Sequence, residues 1–128
     1  MRLIPTEAET QKAILELLAA YRVYAFRLNT AAIKTEGRFF RAHSAGAGAA
    51  DIFALPVIHT TYWQGSPCGH ELTIGQPQPL WVEVKSPTGR QTREQHSFQT
   101  EVESRGCYYL LARSVDDVST WLKQHRVI

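Results

Sequence analysis

Hydrophobic and polar positions recur along this chain with periods of about 3.6 and about 2, and the changes of period divide it into elements. Thr6 followed by Glu9 has the form of a capping box, Pro5 cannot extend a helix backwards, and Leu15, Leu17 and Leu18 are strong helix formers. A first helix is predicted over residues 7–20. Along it Gln11, Ile14, Leu18 and Tyr21 form one stripe with Glu7 at its top, whereas Glu9 lies with Ala13, Glu16 and Ala20, so Glu7 points nearer the core. Residues 23–29 and 38–43 are rich in β-branched and aromatic side chains and are read as two strands of a hairpin, joined through a polar turn region containing Gly37. Residues 44–50 are almost wholly glycine and alanine, which suits a tight turn or a close backbone approach, and a strand over 51–55 follows.

From 56 to 79 the periodicity fades among Pro56, Gly65, Pro67, Gly69, Gly75, Pro77 and Pro79, so a long surface excursion with short strands at 60–63 and 71–74 is expected. Residues 80–85 alternate again as a strand, stopped by Ser86, Pro87 and Gly89. A second helix over 93–105 starts at the capping-box pair Thr92 and Gln95 and stops at Gly106. Residues 107–112 form an apolar strand expected to be buried, and Ser114 caps a last helix that runs to about residue 124. The order, a helix, several strands, a helix, a strand and a last helix, implies an α/β domain in which a mixed central sheet is flanked by helices.

Composition narrows the class. The chain has 128 residues, 44% hydrophobic and 20% charged, which suits one domain over 1–128 and leaves no room for a second. Residues 1–6 lack the apolar run of a secretory signal, and no stretch approaches the roughly 20 apolar residues that span a bilayer, so a cytoplasmic protein with no membrane partner is expected. Cys68 and Cys107 are read as unpaired in a reducing compartment. The net charge of +2 decides nothing by itself. Its distribution says more, since Arg22, Arg27, Lys34, Arg38 and Arg41 are opposed over that stretch by Glu36 alone, a local excess suited to phosphate contacts or to a solvated basic face.

The candidate chemistry lies in Trp81-Val82-Glu83-Val84-Lys85. A strand sends Val82 and Val84 to one face and Trp81, Glu83 and Lys85 to the other, so a carboxylate and an ammonium lie side by side. On a central strand such charges must be paired, metal-bound or open to a cleft; on an edge strand the same letters describe a solvated face. Asp51, at the mouth of a strand after the glycine-rich turn, supplies a second carboxylate that can meet Glu83. Oxygen ligands of this kind suit Mg²⁺ or Mn²⁺ rather than zinc.

Taken in order, Glu7, Gly48-Ala49-Ala50-Asp51, Glu83-Val84-Lys85 and Gln95 resemble the PD-(D/E)xK nuclease superfamily, most closely its VRR-NUC branch, over nearly the whole chain. The resemblance extends to the Asp-Ile strand, the Gly-Arg loop at Gly89-Arg90, the glutamine-bearing helix and the strand after Gly106. Ala50 stands where proline is often found, and the 56–79 excursion exceeds what the simplest members need, leaving open an added hairpin that contacts substrate or a second subunit.

The resemblance implies a restriction-endonuclease-like core, αβββαβ with a C-terminal helix, and a metal-dependent DNA endonuclease. By it Asp51, Glu83 and the Val84 carbonyl would hold Mg²⁺, with Mn²⁺ as a substitute, and Glu7 would complete the outer ligand set. Lys85 would orient or deprotonate the attacking water and steady the phosphate, and Gln95 would support the site beyond its capping role. Lys34, Arg38, Arg41, Arg90 and Arg93 are the candidate DNA contacts. A preference for branched, flapped or four-way-junction DNA is implied by the resemblance alone, and symmetrical cutting of a branch would require a homodimer.

Other chemistries fit less well. His59, Cys68 and His70 match no standard zinc spacing, and Ser44, Ser66, Ser86 and Ser97 have no nucleophile-elbow context. Cys107 is read as a core residue, and Trp63 and Trp81 as packing residues rather than base-stacking platforms. The competing class is a non-catalytic nucleic-acid-binding module on the same fold; a metabolic hydrolase or transferase lacks any phosphate-cradling glycine motif.

Overall fold

The computed structural model describes residues 4–28, 33–35, 38–40, 48–65 and 69–128, with backbone alone for 33–35 and 38–40. These form a mixed α/β domain of three helices, α1 (Glu7–Ala20), α2 (Arg93–Ser104) and α3 (Val115–Gln124), and eight strands, β1 (Tyr24–Arg27), β2 (Ile33–Thr35), β3 (Arg38–Phe40), β4 (Ile52–Leu55), β5 (Val57–Gln64), β6 (His70–Pro77), β7 (Leu80–Val84) and β8 (Tyr108–Ala112). Each helix begins where a hydroxyl accepts a backbone N–H of its first turn: Thr6 from Glu9, Thr92 from Gln95, Ser114 from Asp117. No helix among the described residues is long and apolar enough to cross a membrane.

The main sheet has the order β1-β4-β7-β8; β1/β4 and β4/β7 are antiparallel, and β7/β8 is parallel through the crossover helix α2. With the β2–β3 and β5–β6 hairpins set aside, the order is αβββαβ followed by a helix, and the mixed sheet with its three helices is as expected. One face of the sheet carries the core, where Ile52, Ala54, Leu80, Val82, Val84 and Ala112 pack with Ile14 and Leu18 of α1 and Val118, Trp121 and Leu122 of α3. A fully buried aliphatic side chain of this kind contributes about 1.5–3 kcal/mol. The other face carries aromatic rings in register across all four strands, Phe26 opposite Phe53, Phe53 opposite Trp81 and Trp81 beside Tyr109, with Phe98 of α2 over Trp81 at a centroid distance of 5.0 Å.

Four readings of the sequence are corrected. Among the described residues the expected hairpin of 23–29 with 38–43 gives way to other pairs: β1 pairs with β4, and β3 with the nearer β2. A sequence run shows that a strand exists but not its partner, and the core face of β4 selects β1. The excursion is a regular antiparallel ribbon of two eight-residue strands, whose prolines stand at its base and at Pro67, outside the described residues. The strand over 107–112 is half-covered rather than buried: Ala112 is fully buried but Tyr108 is exposed, because β8 is an edge strand. On α1 the buried stripe is Thr10, Ile14 and Leu18, and Tyr21, expected on it, is exposed past the helix end.

The β5–β6 ribbon continues the central strands. Ile52 faces Val82, Ala54 faces Leu80, Gln78 N–H donates to Pro56 O at 3.0 Å, and Val57 faces Pro77 in one unbroken register that runs to Gln64 and His70.

Candidate active site

One step along that register in the other direction, past Ile52 and Val82, Asp51 falls opposite Glu83. Directly opposed residues on antiparallel strands point to the same face with their Cβ atoms about 5 Å apart, which is why two carboxylates from distant parts of the chain meet. The turn before Asp51 is shaped by Gly48 at φ +76°, where a Cβ would overlap the backbone of Glu94 in the first turn of α2. Glycine therefore lets the turn lie against the start of α2. Asp51 O accepts from Leu28 N–H at 2.8 Å, and Asp51 Oδ2 accepts from Val84 N–H at 2.8 Å. The carboxylate thus replaces the strand carbonyl that would otherwise have continued the ladder. N–H and C=O of one strand residue project to the same edge, so the Val84 carbonyl is directed to the edge on which Asp51 lies.

Glu83 is 2% exposed. Its Oε1 accepts from Gln95 Nε2 at 3.3 Å, and its Oε2 lies 4.0 Å from Lys85 Nζ. Burial first, then the hydrogen bond and charge of Asp51, push its pKa from 4.5 up to about 8, with Glu7 adding and the Lys85 ammonium opposing. Desolvation leads because the aromatic row is the next layer on that face: Trp81 lies two residues before Glu83 on β7, and Phe53 two residues after Asp51. At neutral pH Glu83, so placed, keeps its proton. Lys85, on the same face, donates its backbone N–H to Ala112 O at 3.0 Å, and its side chain is only 13% exposed.

Glu7, in the first turn of α1, accepts from Ser86 N–H through Oε1 at 3.0 Å and so reaches the loop directly after Lys85. Glu9 gives its backbone N–H to Thr6 at 3.1 Å, and the charge of Glu7 adds to those that raise Glu83. Gln95 fulfils both roles offered by the sequence: its Oε1 accepts from Thr92 N–H at 2.8 Å to close the capping box, and its Nε2 donates to Glu83. Asp51, Glu83, Val84, Lys85, Gln95 and Glu7 therefore converge at one end of the central strands.

Among the basic candidates, Arg90 and Arg93 are exposed at the loop and the helix start that follow β7. The side chains of Lys34 and Arg38, and all of Arg41, lie outside the described residues. His59 and His70 stand on opposite strands and opposite faces of the ribbon, the former opposite Gly75 and the latter opposite Gln64, so they do not form a shared ligand set, and Cys68 lies outside the described residues. Cys107 is a free thiol, partly covered.

Two residues were not read from the sequence. Arg113, just after β8, donates through one guanidinium nitrogen to Ser86 O at 2.6 Å and to Gly89 O at 2.7 Å, clasping the loop that follows Lys85, while its own N–H is held by Asp117 Oδ2 at 2.8 Å. Tyr109, on the neighbouring strand, accepts from Gln91 Nε2 at 3.0 Å; burial, with contributions from the Glu83 and Asp51 charges, pushes its pKa up to about 12, so it stays protonated. An arginine directly after an apolar strand was the available signal for the first; for Tyr109 the sequence carried none.

Among the described residues no three of His, Cys, Asp and Glu are grouped to hold a metal ion by themselves. A cation at this site would take two carboxylates, a backbone carbonyl and water, a donor set made for Mg²⁺, which keeps several waters. No protein-family model, curated protein or solved structure matches this chain.

Proposed function

We propose that the chain is a Mg²⁺-dependent endonuclease of the PD-(D/E)xK type, VRR-NUC branch, built on a restriction-endonuclease-like core and hydrolysing phosphodiester bonds in DNA. The observation that carries this reading is the meeting of Asp51 and Glu83, opposed in register beside Lys85 at the end of the central strands. Two carboxyls and an ammonium in so dry a place cost stability, and a catalytic role gives a reason for keeping them there.

The donor set fits a hard divalent cation, because two carboxyls from neighbouring strands and a backbone carbonyl converge as oxygen donors at the strand ends. Asp51, Glu83 and the Val84 carbonyl would hold it, and Mn²⁺ would substitute. The bound cation supplies Lewis acidity toward a phosphoryl oxygen and lowers the pKa of water.

The protein's own groups do the rest. Lys85, held on the Glu83 face, orients the attacking water and offsets charge developing on the phosphate. Gln95 fixes the Glu83 carboxylate, and Glu7 anchors the loop after Lys85 by its contact with Ser86 N–H. Arg90 and Arg93, with Lys34, Arg38 and Arg41, supply positive charge for the DNA backbone. So small a domain has little surface for reading a long sequence, which favours substrates recognised by shape, such as flaps and junctions; cutting a junction symmetrically takes two copies.

The test uses labelled single-stranded, duplex, flapped and four-way-junction DNA with purified protein in Mg²⁺, Mn²⁺ or EDTA. Metal-dependent cutting that falls at least about a hundredfold in each of Asp51→Ala, Glu83→Ala and Lys85→Ala, with circular dichroism unchanged, is the expected result. Salt-sensitive binding without cutting would replace this reading by a non-catalytic nucleic-acid module.

A further inference from the structure

The aromatic row on the site face of the main sheet is covered at one end and open at the other. Phe98 of α2 lies over Trp81 and reaches Tyr109, with centroids 5.0 and 6.5 Å apart. Toward the β1 edge the row runs from Trp81 through Phe53 and Phe26 to Tyr24, with successive centroids 4.8, 5.4 and 6.1 Å apart. There the rings come into the open, Phe26 being 40% and Tyr24 68% exposed. Among the described residues these two rings are the large hydrophobic side chains that this face of the main sheet leaves exposed.

Register places the rings beside the chemistry. Tyr24 faces Leu55 and Phe26 faces Phe53; one step past Arg27 and Ile52, Leu28 falls opposite Asp51, to whose carbonyl its N–H donates at 2.8 Å. Alternate residues of a strand share a face, so Phe26 and Tyr24 stand on the face of Asp51 and Glu83, about 7 and about 14 Å back along the strand at roughly 3.4 Å per residue. A strand of nucleotides that leaves the carboxyl pair along this edge passes over both rings.

The surrounding charge says what the rings receive. Residues 17–35 hold Arg22, Arg27 and Lys34 and no aspartate or glutamate. Arg22, just before β1, and Arg27, its last residue, are both exposed, and Arg27 Nε donates to Gln11 Oε1 at 2.9 Å. Flat π faces inside a positive field suit a single strand of nucleic acid, since any base can stack on a ring and the phosphates are drawn by the cations. Bases paired in a duplex are already stacked on their neighbours and gain nothing from the rings. We propose that Tyr24 and Phe26 form a stacking platform for the unpaired bases of a DNA strand next to the cut, within the positive field of Arg22 and Arg27. This deepens the nuclease reading by naming single-stranded or flapped DNA as the substrate; it rests on that reading's choice of DNA but not on its metal chemistry.

Fluorescence anisotropy of the full chain in EDTA and low salt, where nothing is cut, tests it with labelled oligothymidine of about ten nucleotides and an abasic deoxyribose-phosphate oligomer of the same length. The wild type is expected to bind the oligothymidine at least about tenfold more tightly than the abasic oligomer. Tyr24→Ser and Phe26→Leu are each expected to reduce that preference about fivefold or more, and Tyr24→Trp to keep it. Trp63→Ser, which removes an exposed ring on the β5–β6 ribbon, is expected to leave it unchanged. Unchanged circular dichroism checks folding in each variant. Equal affinity for the two oligomers, or a preference that survives both Tyr24→Ser and Phe26→Leu, would overturn the platform even where Mg²⁺-dependent cutting is intact. A preference that follows the rings while no cutting is found in Mg²⁺ would uphold the platform and overturn the endonuclease alone. Ring variants that lose a dimer in sedimentation velocity and keep the base preference would give the rings to a second copy of the chain instead.

Discussion

At the scale of single residues, the carboxyl pair makes stability depend on pH in a direction set by Glu83. Its pKa is raised in the folded state, from 4.5 to about 8, so the folded protein binds more protons than the unfolded chain between those values. This contribution is fully present below about 4.5 and is lost as pH rises through about 8. Thermal melts in EDTA should accordingly show a falling melting temperature from pH 5 to pH 8, and Glu83→Gln should flatten that slope; an unchanged slope in the variant would remove Glu83 as its source. Mg²⁺ should restore more stability at the upper end, where no proton has to be displaced, by about 2.7 kcal/mol at a hundredfold excess over Kd. Arg113 gives a second prediction, because its guanidinium holds two carbonyls of the loop beside Lys85. Arg113→Ala should lower kcat about tenfold or more with KM for DNA little changed, since the loop positions Lys85 and Glu7 rather than gripping the substrate. A pure KM effect would make Arg113 a DNA contact instead.

At the scale of elements, the site depends on the turn before β4 lying against the start of α2. Gly48 and Gly106 have similar positive φ, +76° and +87°, but a Cβ on Gly48 meets the Glu94 backbone whereas one on Gly106 meets nothing within 4 Å. Gly106→Ala should therefore cost only the backbone strain of about 1 kcal/mol, whereas Gly48→Ala should cost about 2 kcal/mol or more by denaturant unfolding and weaken the Mg²⁺-induced shift in melting temperature. Equal costs would mean that the approach to α2 is not needed. The helices were legible in sequence because their caps are local: Thr6, Thr92 and Ser114 act within three residues of themselves. Strand partners were not, and the hairpin expected between residues 23–29 and 38–43 gave way to β1 on β4, a choice made by the shared aromatic and core faces of distant segments.

At the scale of the whole molecule, one antiparallel ribbon carries two separate surfaces, the carboxyl pair at one end and the exposed β5–β6 arm at the other. Replacing residues 60–74 by an Asn-Gly turn should leave a cooperatively folding body whose melting temperature still responds to Mg²⁺, because the core cluster does not include those residues. Loss of the Mg²⁺ response on this deletion would show that arm and site are coupled. The sequence alone determined the α/β order, the helix starts, the Glu83–Lys85 face, the candidacy of Asp51 and the capping role of Gln95, since these follow from periods, turns and caps spanning a few residues. Tertiary structure alone decided that the excursion extends the central strands, that Asp51 falls opposite Glu83, and that Arg113 reaches across from β8 to the loop after Lys85. Each of these is a contact between segments far apart in the chain, fixed by register and packing, which no local pattern encodes.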